Sequence, residues 1–212
     1  MIRGGCPSPA MMVSEARIES WNPAVVVKLA PLVQLDDGKL FEFCQLNRDL
    51  RIERDADGAL ILIAPVGGSS SARNLELSRQ LGNWTEQDGS GIAFDSSVGF
   101  ILPNGAMRSP DAAWIRRERW DALSPDERER FLPLCPDFVV EIRSPSDRLA
   151  SLQRRLRELM RNGAQLGWLI DPRRRTVHVY RPGEEVQTLM SVSAVSADPV
   201  LRGFALNLDR IW

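Results

Sequence analysis

Two acidic residues, Asp111 and Glu141, stand in segments that are otherwise mostly apolar. Asp111 belongs to Arg108-Ser109-Pro110-Asp111-Ala112-Ala113-Trp114-Ile115. Glu141 belongs to Cys135-Pro136-Asp137-Phe138-Val139-Val140-Glu141-Ile142-Arg143-Ser144-Pro145-Ser146-Asp147. A carboxylate on an apolar strand is costly to bury unless it is paired or bound to a cation. Two of them at adjacent strand ends make an oxygen site for a hard cation, Mg²⁺ first and Mn²⁺ as the alternative. A metal held there polarises a phosphate oxygen and generates hydroxide from water, while a nearby cationic side chain stabilises developing charge. That is the chemistry of phosphodiester hydrolysis. Taken singly, the same acids also suit turns and salt bridges, so spacing alone leaves both readings open.

The elements that must hold these acids are legible in outline. Asp137 to Ile142 reads as the most apolar strand, with Glu141 near its end. Met107 to Ile115 reads as the strand that carries Asp111, after a Pro103-Asn104-Gly105-Ala106 turn. Ile92 to Leu102 reads as one strand bulged near Gly99. Ser146 is the expected cap of a basic helix from Arg148 to Asn162, ended by Gly163. Its leucines, Leu149, Leu152, Leu156 and Leu159, form one stripe. On that wheel Arg155 lies roughly 80° from the stripe centre, while Arg154, Arg157 and Arg161 point to solvent. Arg155 and Arg143 are therefore the two candidate cations. Upstream, Ala72 to Glu86 reads as a helix capped from the Gly67-Gly68-Ser69-Ser70-Ser71 loop. Leu77, Leu81 and Trp84 mark its buried stripe and Glu76 lies at the border, a third candidate oxygen ligand. A helix over Leu40 to Leu46, a hairpin of strands 50–54 and 59–63, and a Ser124 capping box complete the outline. Strands over 166–170 and 176–180 and short strands in the C-terminal tail follow. This order indicates one mixed α/β domain over 24–212, with 1–23 as a mobile tail.

Composition narrows the function classes. At 43% hydrophobic and 26% charged, the 212-residue chain is globular and long enough for one proper core. A net charge of −1 means that nucleic-acid binding must rest on local arginine clusters rather than on the whole molecule. Those clusters are Arg116-Arg117, Arg154-Arg155 with Arg157 and Arg161, and Arg173-Arg174-Arg175. One histidine, His178, cannot make a multi-histidine metal site, and a strand-face role is expected for it. Cys6, Cys44 and Cys135 form no CxxC pair, so a reduced, cytoplasmic setting is expected. No run approaches the roughly 18 apolar residues of a membrane helix.

Several blocks, in order, resemble the Uma2 family of endonucleases, with the restriction-endonuclease-like PD-(D/E)xK fold. They are Phe43-Cys44-Gln45-Leu46-Asn47, Gly67-Gly68, Arg73-Asn74-Leu75-Glu76, Phe94 to Phe100, Arg108 to Asp111, Pro136 to Asp147, Asn162-Gly163 through Pro172, and Leu201-Arg202-Gly203-Phe204. The resemblance implies a central mixed β-sheet flanked by helices, with an N-terminal β-hairpin. It implies a Mg²⁺-dependent endonuclease acting on nucleic acid, DNA in the first instance, and by analogy a homodimer. Asp111, Glu141 and Glu76 would be the metal-binding acids. The motif also expects a lysine, at the place of Arg155 in this family or of Arg143 in other members of the fold. This chain has no lysine after Lys39. Arginine stays charged and can orient phosphate but is a poor base. The alternative is therefore a nucleic-acid-binding module of nuclease ancestry with little turnover.

Overall fold

The structure is a computed structural model that describes residues 24–212. The expected tail at 1–23, with Cys6, lies outside the described residues. In chain order the elements are β1 (Ala24–Val27), α1 (Asp37–Leu46), β2 (Arg51–Arg54), β3 (Leu60–Ile63), α2 (Gly68–Asp88), β4 (Gly91–Asp95), β5 (Phe100–Ile101) and β6 (Met107–Arg108). Then come β7 (Ala112–Arg116), α3 (Arg117–Asp121), α4 (Pro125–Arg128), β8 (Phe138–Ile142), α5 (Leu149–Arg161), β9 (Leu166–Asp171), β10 (Thr176–Tyr180), β11 (Gln187–Met190), β12 (Ala194–Ser196) and β13 (Ala205–Asn207).

A six-stranded mixed sheet, ordered β11-β10-β9-β8-β7-β4, is the centre of the molecule. Only β8 and β9 run parallel, because α5 carries the chain across between them. Its two faces follow from the strand period of two. Ala112, Trp114, Phe138, Val140, Trp168 and Ile170 face α2 and the C-terminal segment. Ala113, Ile115, Val139 and Leu169 face α5, where Leu156 and Leu159 meet them. Glu141 shares the parity of Val139 and so belongs to the α5 face. The helix lies close there: a Cβ at Gly167 would come within 2.6 Å of Leu156 Cδ1 and 2.9 Å of Met160 Cε. A second sheet, β1-β3-β2-β6-β5, contains the expected β2–β3 hairpin, and β12–β13 form a third. Among the described residues, no helix is long and apolar enough to cross a membrane.

Local polar chemistry moves several expected boundaries. The run 92–102 is two strands in two different sheets, β4 and β5. The break comes where Asp95 Oδ1 accepts the backbone N–H of Ser97 at 2.9 Å and its hydroxyl at 2.5 Å, an Asx turn. The run 107–115 is likewise divided into β6 and β7, because Pro110 has no N–H for a ladder. Asp111 therefore stands just before β7 rather than within a strand. The upstream helix begins earlier than expected, at Gly68 with Gly67 as cap, and the serines lie inside it. It runs on to Asp88, two residues past the expected end, and stops at Gly89, in the left-handed region at φ 73°. Ser146 does not cap α5; the cap is Arg148, because Asp147 Oδ2 accepts the Ser144 N–H at 2.7 Å and closes a turn of its own. The Ser124 capping box is present.

Candidate active site

The antiparallel register Ala112↔Val140 brings Asp111 level with Glu141 at the shared end of β7 and β8. Asp111 is partly buried and held on both oxygens. Its Oδ2 accepts the Ile142 N–H at 2.8 Å and its Oδ1 accepts from Asn74 Nδ2 of α2 at 3.0 Å. Glu141 is 5% exposed and stands against α5. Arg155 reaches inward from that helix and sets its Nε 2.5 Å from Glu141 Oε1. The Nε–H is not aligned on that oxygen, so neither atom has a directed hydrogen-bond partner.

The rest of the Arg155 guanidinium goes to the Ser109 carbonyl, which accepts from Nη2 at 3.0 Å, and above all to a residue that sequence reasoning missed. Glu53 of β2 is fully buried and accepts from Arg155 Nη1 at 2.6 Å and Nη2 at 2.5 Å. It also accepts the Ser109 N–H at 2.9 Å, and Arg108 Nη1 lies 3.4 Å away. Arg108 in turn donates from Nε to Glu158 at 2.7 Å. Arg51 of β2, also missed, donates to the Ser109 carbonyl at 2.9 Å. In Leu50-Arg51-Ile52-Glu53-Arg54 the alternation reads as a strand with a wet face. The sequence carries no local sign that α5, 102 positions away, covers that face.

Charge balance sets the protonation. Burial is the largest influence on Glu141, and with the negative charges of Asp111 and Glu53 it outweighs the pull of Arg155; the group is pushed up to about 8. One guanidinium is here divided between two acids. Burial also raises Asp111, against the Ile142 N–H and the positive charges of Arg51 and Arg155. Glu53 is held below its ordinary value: burial opposes ionisation, but Arg155, Arg108 and the Ser109 N–H together prevail. Desolvation acts to lower Arg155, yet Glu141 and Glu53 raise it overall, so it stays protonated.

The other expected site residues lie elsewhere. Glu76 accepts from Arg79 Nε at 3.0 Å, Arg79 Nη2 at 2.6 Å and Gln80 Nε2 at 2.9 Å. Arg210 approaches it at 3.9 Å, and no contact joins it to Asp111 or Glu141. The α2 residue at the acids is Asn74. On the helical wheel Asn74 lies about 50° from the Leu77-Leu81-Trp84 stripe on the side opposite Glu76, a signal available in the sequence. Arg143 turns to Asp171, with Nη1 to Oδ2 at 2.6 Å, and donates from Nε to the Asp147 carbonyl at 3.2 Å. Of the two candidate cations, only Arg155 touches an acid of the pair. His178 faces Thr188 at 3.0 Å, a strand-face position as expected.

Among the described residues, no three Asp, Glu, His or Cys side chains converge on one metal position. The donor set on offer is the two carboxylates of Asp111 and Glu141. That fits Mg²⁺, which takes one or two carboxylates and keeps several waters. The buried Glu141 Oε1, without a directed partner, fits it further. Beside Arg155 a cleft of about 670 Å³ opens between the paired strands β1 and β3 and α5. Arg148, Arg154 and Arg161 line it and make no ion pair among the described residues.

Comparison with known proteins places this geometry. Residues 39–209 match the model of a family described as "Putative restriction endonuclease", Uma2. The chain belongs to the Uma2 family. No curated protein matches the chain. Five chains of known structure are similar to it, among them the crystal structure of "a putative nuclease belonging to DUF820" from Anabaena variabilis. That similarity has a TM-score of 0.63 at 22% identity and covers 76% of this chain and 88% of the other. It shows the fold, which is restriction-endonuclease-like. Uma2 membership supports a nuclease function in general terms, with nucleic acid as substrate. Within the Uma2 domain, Asp111, Glu141 and Arg155 come together; Glu76 and Arg143 do not join them.

Proposed function

We propose that this protein is a divalent-metal-dependent endonuclease that hydrolyses DNA phosphodiester bonds, with Mg²⁺ or Mn²⁺ on Asp111 and Glu141. The observation that carries this reading is the pair of carboxylates at the shared end of β7 and β8, one fixed by the Ile142 N–H and the other 2.5 Å from a permanent cation. A bound metal would supply Lewis acidity toward the phosphate and lower the pKa of an attacking water. The chain's own residues do the rest. The Ile142 N–H and Asn74 fix the two oxygens of Asp111, so the ligand needs little reordering to bind. Arg155, charged throughout, lies beside the acids and stabilises negative charge that develops on phosphate. Arg148, Arg154 and Arg161 in the neighbouring cleft offer contacts for flanking phosphates. No residue beside the acids is a neutral amine, so the attacking water loses its proton to solvent or to the carboxylates rather than to a lysine.

The test is nicking of supercoiled DNA with Mg²⁺ or Mn²⁺, by the wild type beside Asp111→Ala and Glu141→Ala. Metal-dependent nicking lost in both variants is expected; nicking that persists in both would overturn the site. A second reading is favoured by one observation: Arg155 is already committed to two acids. In that reading the chain binds nucleic acid with little turnover. Salt-dependent DNA binding without nicking would select it.

A further inference from the structure

We propose that Glu53 is a positioning residue: it turns the fork of Arg155 away from Glu141 and so keeps Glu141 and Asp111 open to a divalent cation. This rests on the metal-dependent reading above and assigns a role to a residue outside the acid pair. A guanidinium pairs best with a carboxylate through two parallel N–H···O bonds. Arg155 makes that pairing with Glu53, through Nη1 at 2.6 Å and Nη2 at 2.5 Å. Only its Nε faces Glu141, and without alignment.

The asymmetry has a physical cause. Glu53 is fixed from several sides: β2 lies inside its sheet between β3 and β6, and the side chain is fully buried. The Ser109 N–H and Arg108 hold it independently of Arg155. Arg155 is the movable partner, a long flexible side chain whose Nη atoms are otherwise held, among the described residues, only by the Ser109 carbonyl, which accepts from Nη2 at 3.0 Å. Both Asp111 and Glu141 already feel its charge. Without the charge of Glu53, the fork's nearest anion is Glu141. Paired there through both Nη atoms, it would take the oxygens that a cation needs. An ion network that only stabilises the fold would make no such prediction.

The test is Mn²⁺ binding to the full chain, read by electron paramagnetic resonance of free Mn²⁺. In Glu53→Gln, which keeps the shape and loses the charge, affinity should fall by about 10-fold or more. Adding Arg155→Met in that background should restore it to the wild-type level or above, since the competing fork is gone. A folded Glu53→Gln with wild-type affinity would overturn the proposal, and so would a loss that Arg155→Met fails to reverse. A crystal structure of Glu53→Gln decides independently of metal: the Arg155 fork on Glu141 supports positioning, and the fork in its original place rejects it. Absence of Mn²⁺ binding by the wild type would sink the metal-dependent reading instead and leave the crystallographic arm to decide. If Glu53→Gln does not fold, Glu53→Asp keeps the charge and withdraws it by one methylene. The fork should then shift toward Glu141 in the crystal; an unmoved fork rejects positioning.

Discussion

The two faces of the central sheet are built from the same strands and do opposite work. On the α2 face, Trp168 stacks on Phe204 with centroids 6.1 Å apart and meets Phe138 edge-on at 4.8 Å. Every strand position in that contact is apolar and nearly every one is fully buried. On the α5 face the same β8 alternation runs Val139, then Glu141, and the apolar packing of Leu156 and Leu159 gives way to an ion cluster. One face is spent on stability. The other gives up stability where Glu141 replaces what would be another aliphatic side chain. Burial raises that acid's pKa, a direct sign of the cost.

Substitutions should separate the faces. Trp168→Ala on the α2 face should cost about 3–5 kcal/mol in urea unfolding and leave Mn²⁺ affinity nearly unchanged. Arg155→Ala should cost a comparable amount, about 3–5 kcal/mol, because it strips the bidentate partner from fully buried Glu53. Glu141→Ala should behave in reverse. Metal-dependent nicking should drop about 100-fold or more, equivalent to about 2.8 kcal/mol. Unfolding should become no easier, since Arg155 keeps Glu53. A large stability loss in Glu141→Ala would remove the contrast between the faces.

Titration sharpens the same contrast. Glu141 has an ordinary value of 4.5 and stands at about 8 in the fold. Between these values the folded chain holds a proton that the unfolded chain has released. The resulting stabilisation is fully present below 4.5 and is lost as pH rises through about 8. A cation needs the ionised form and competes with that proton. So, relative to Glu141→Gln, metal-free wild type should lose stability from pH 6 to pH 8.5. Its apparent Mn²⁺ affinity should rise by up to about 10-fold per pH unit and level off above 8. Calorimetry with and without Mn²⁺ reads both. A flat metal affinity over that range would mean that Glu141 is already ionised or is not a ligand.

What the sequence disclosed divides along physical lines. The helical period placed Arg155 inward among solvent-facing arginines, because the leucine stripe fixes the wheel. The apolar run that ends at Glu141 put that acid near the end of its strand, whereas Asp111, read inside a strand over 107–115, stands just before β7. Glu53 was invisible because its partners are not local: Ser109 is 56 positions away and Arg155 is 102. Both sides of β2 are covered by tertiary packing, so Ile52, Glu53 and Arg54 are all buried and the alternation misleads. Glu76 was placed near the core border, where it does lie. Its side chain goes to Arg79, one turn on, rather than to a cleft. Where the neighbours within a turn or a hairpin decided the geometry, the residues were legible; where a helix crossed from one sheet to another, they were not.

The finest distinction concerns two arginines that the sequence left equal. Arg155→Lys puts an ammonium where the resemblance to the family would place the motif lysine. A single ammonium cannot span both Glu53 oxygens and also face Glu141 as the fork does, so part of its contact with Glu53 is lost. It can, however, release a proton when desolvated, which arginine cannot. Arg155→Lys should therefore change kcat for nicking, upward by several-fold. Arg143→Lys should leave kcat within about twofold, because its partner is Asp171 and it touches neither acid. Asp171 also keeps the backbone N–H groups of Arg173 and Arg174, so that substitution should shift the unfolding midpoint only slightly. A rise in kcat confined to Arg143→Lys would move the cationic position from α5 to the end of β8 and break the assignment of the α5 face.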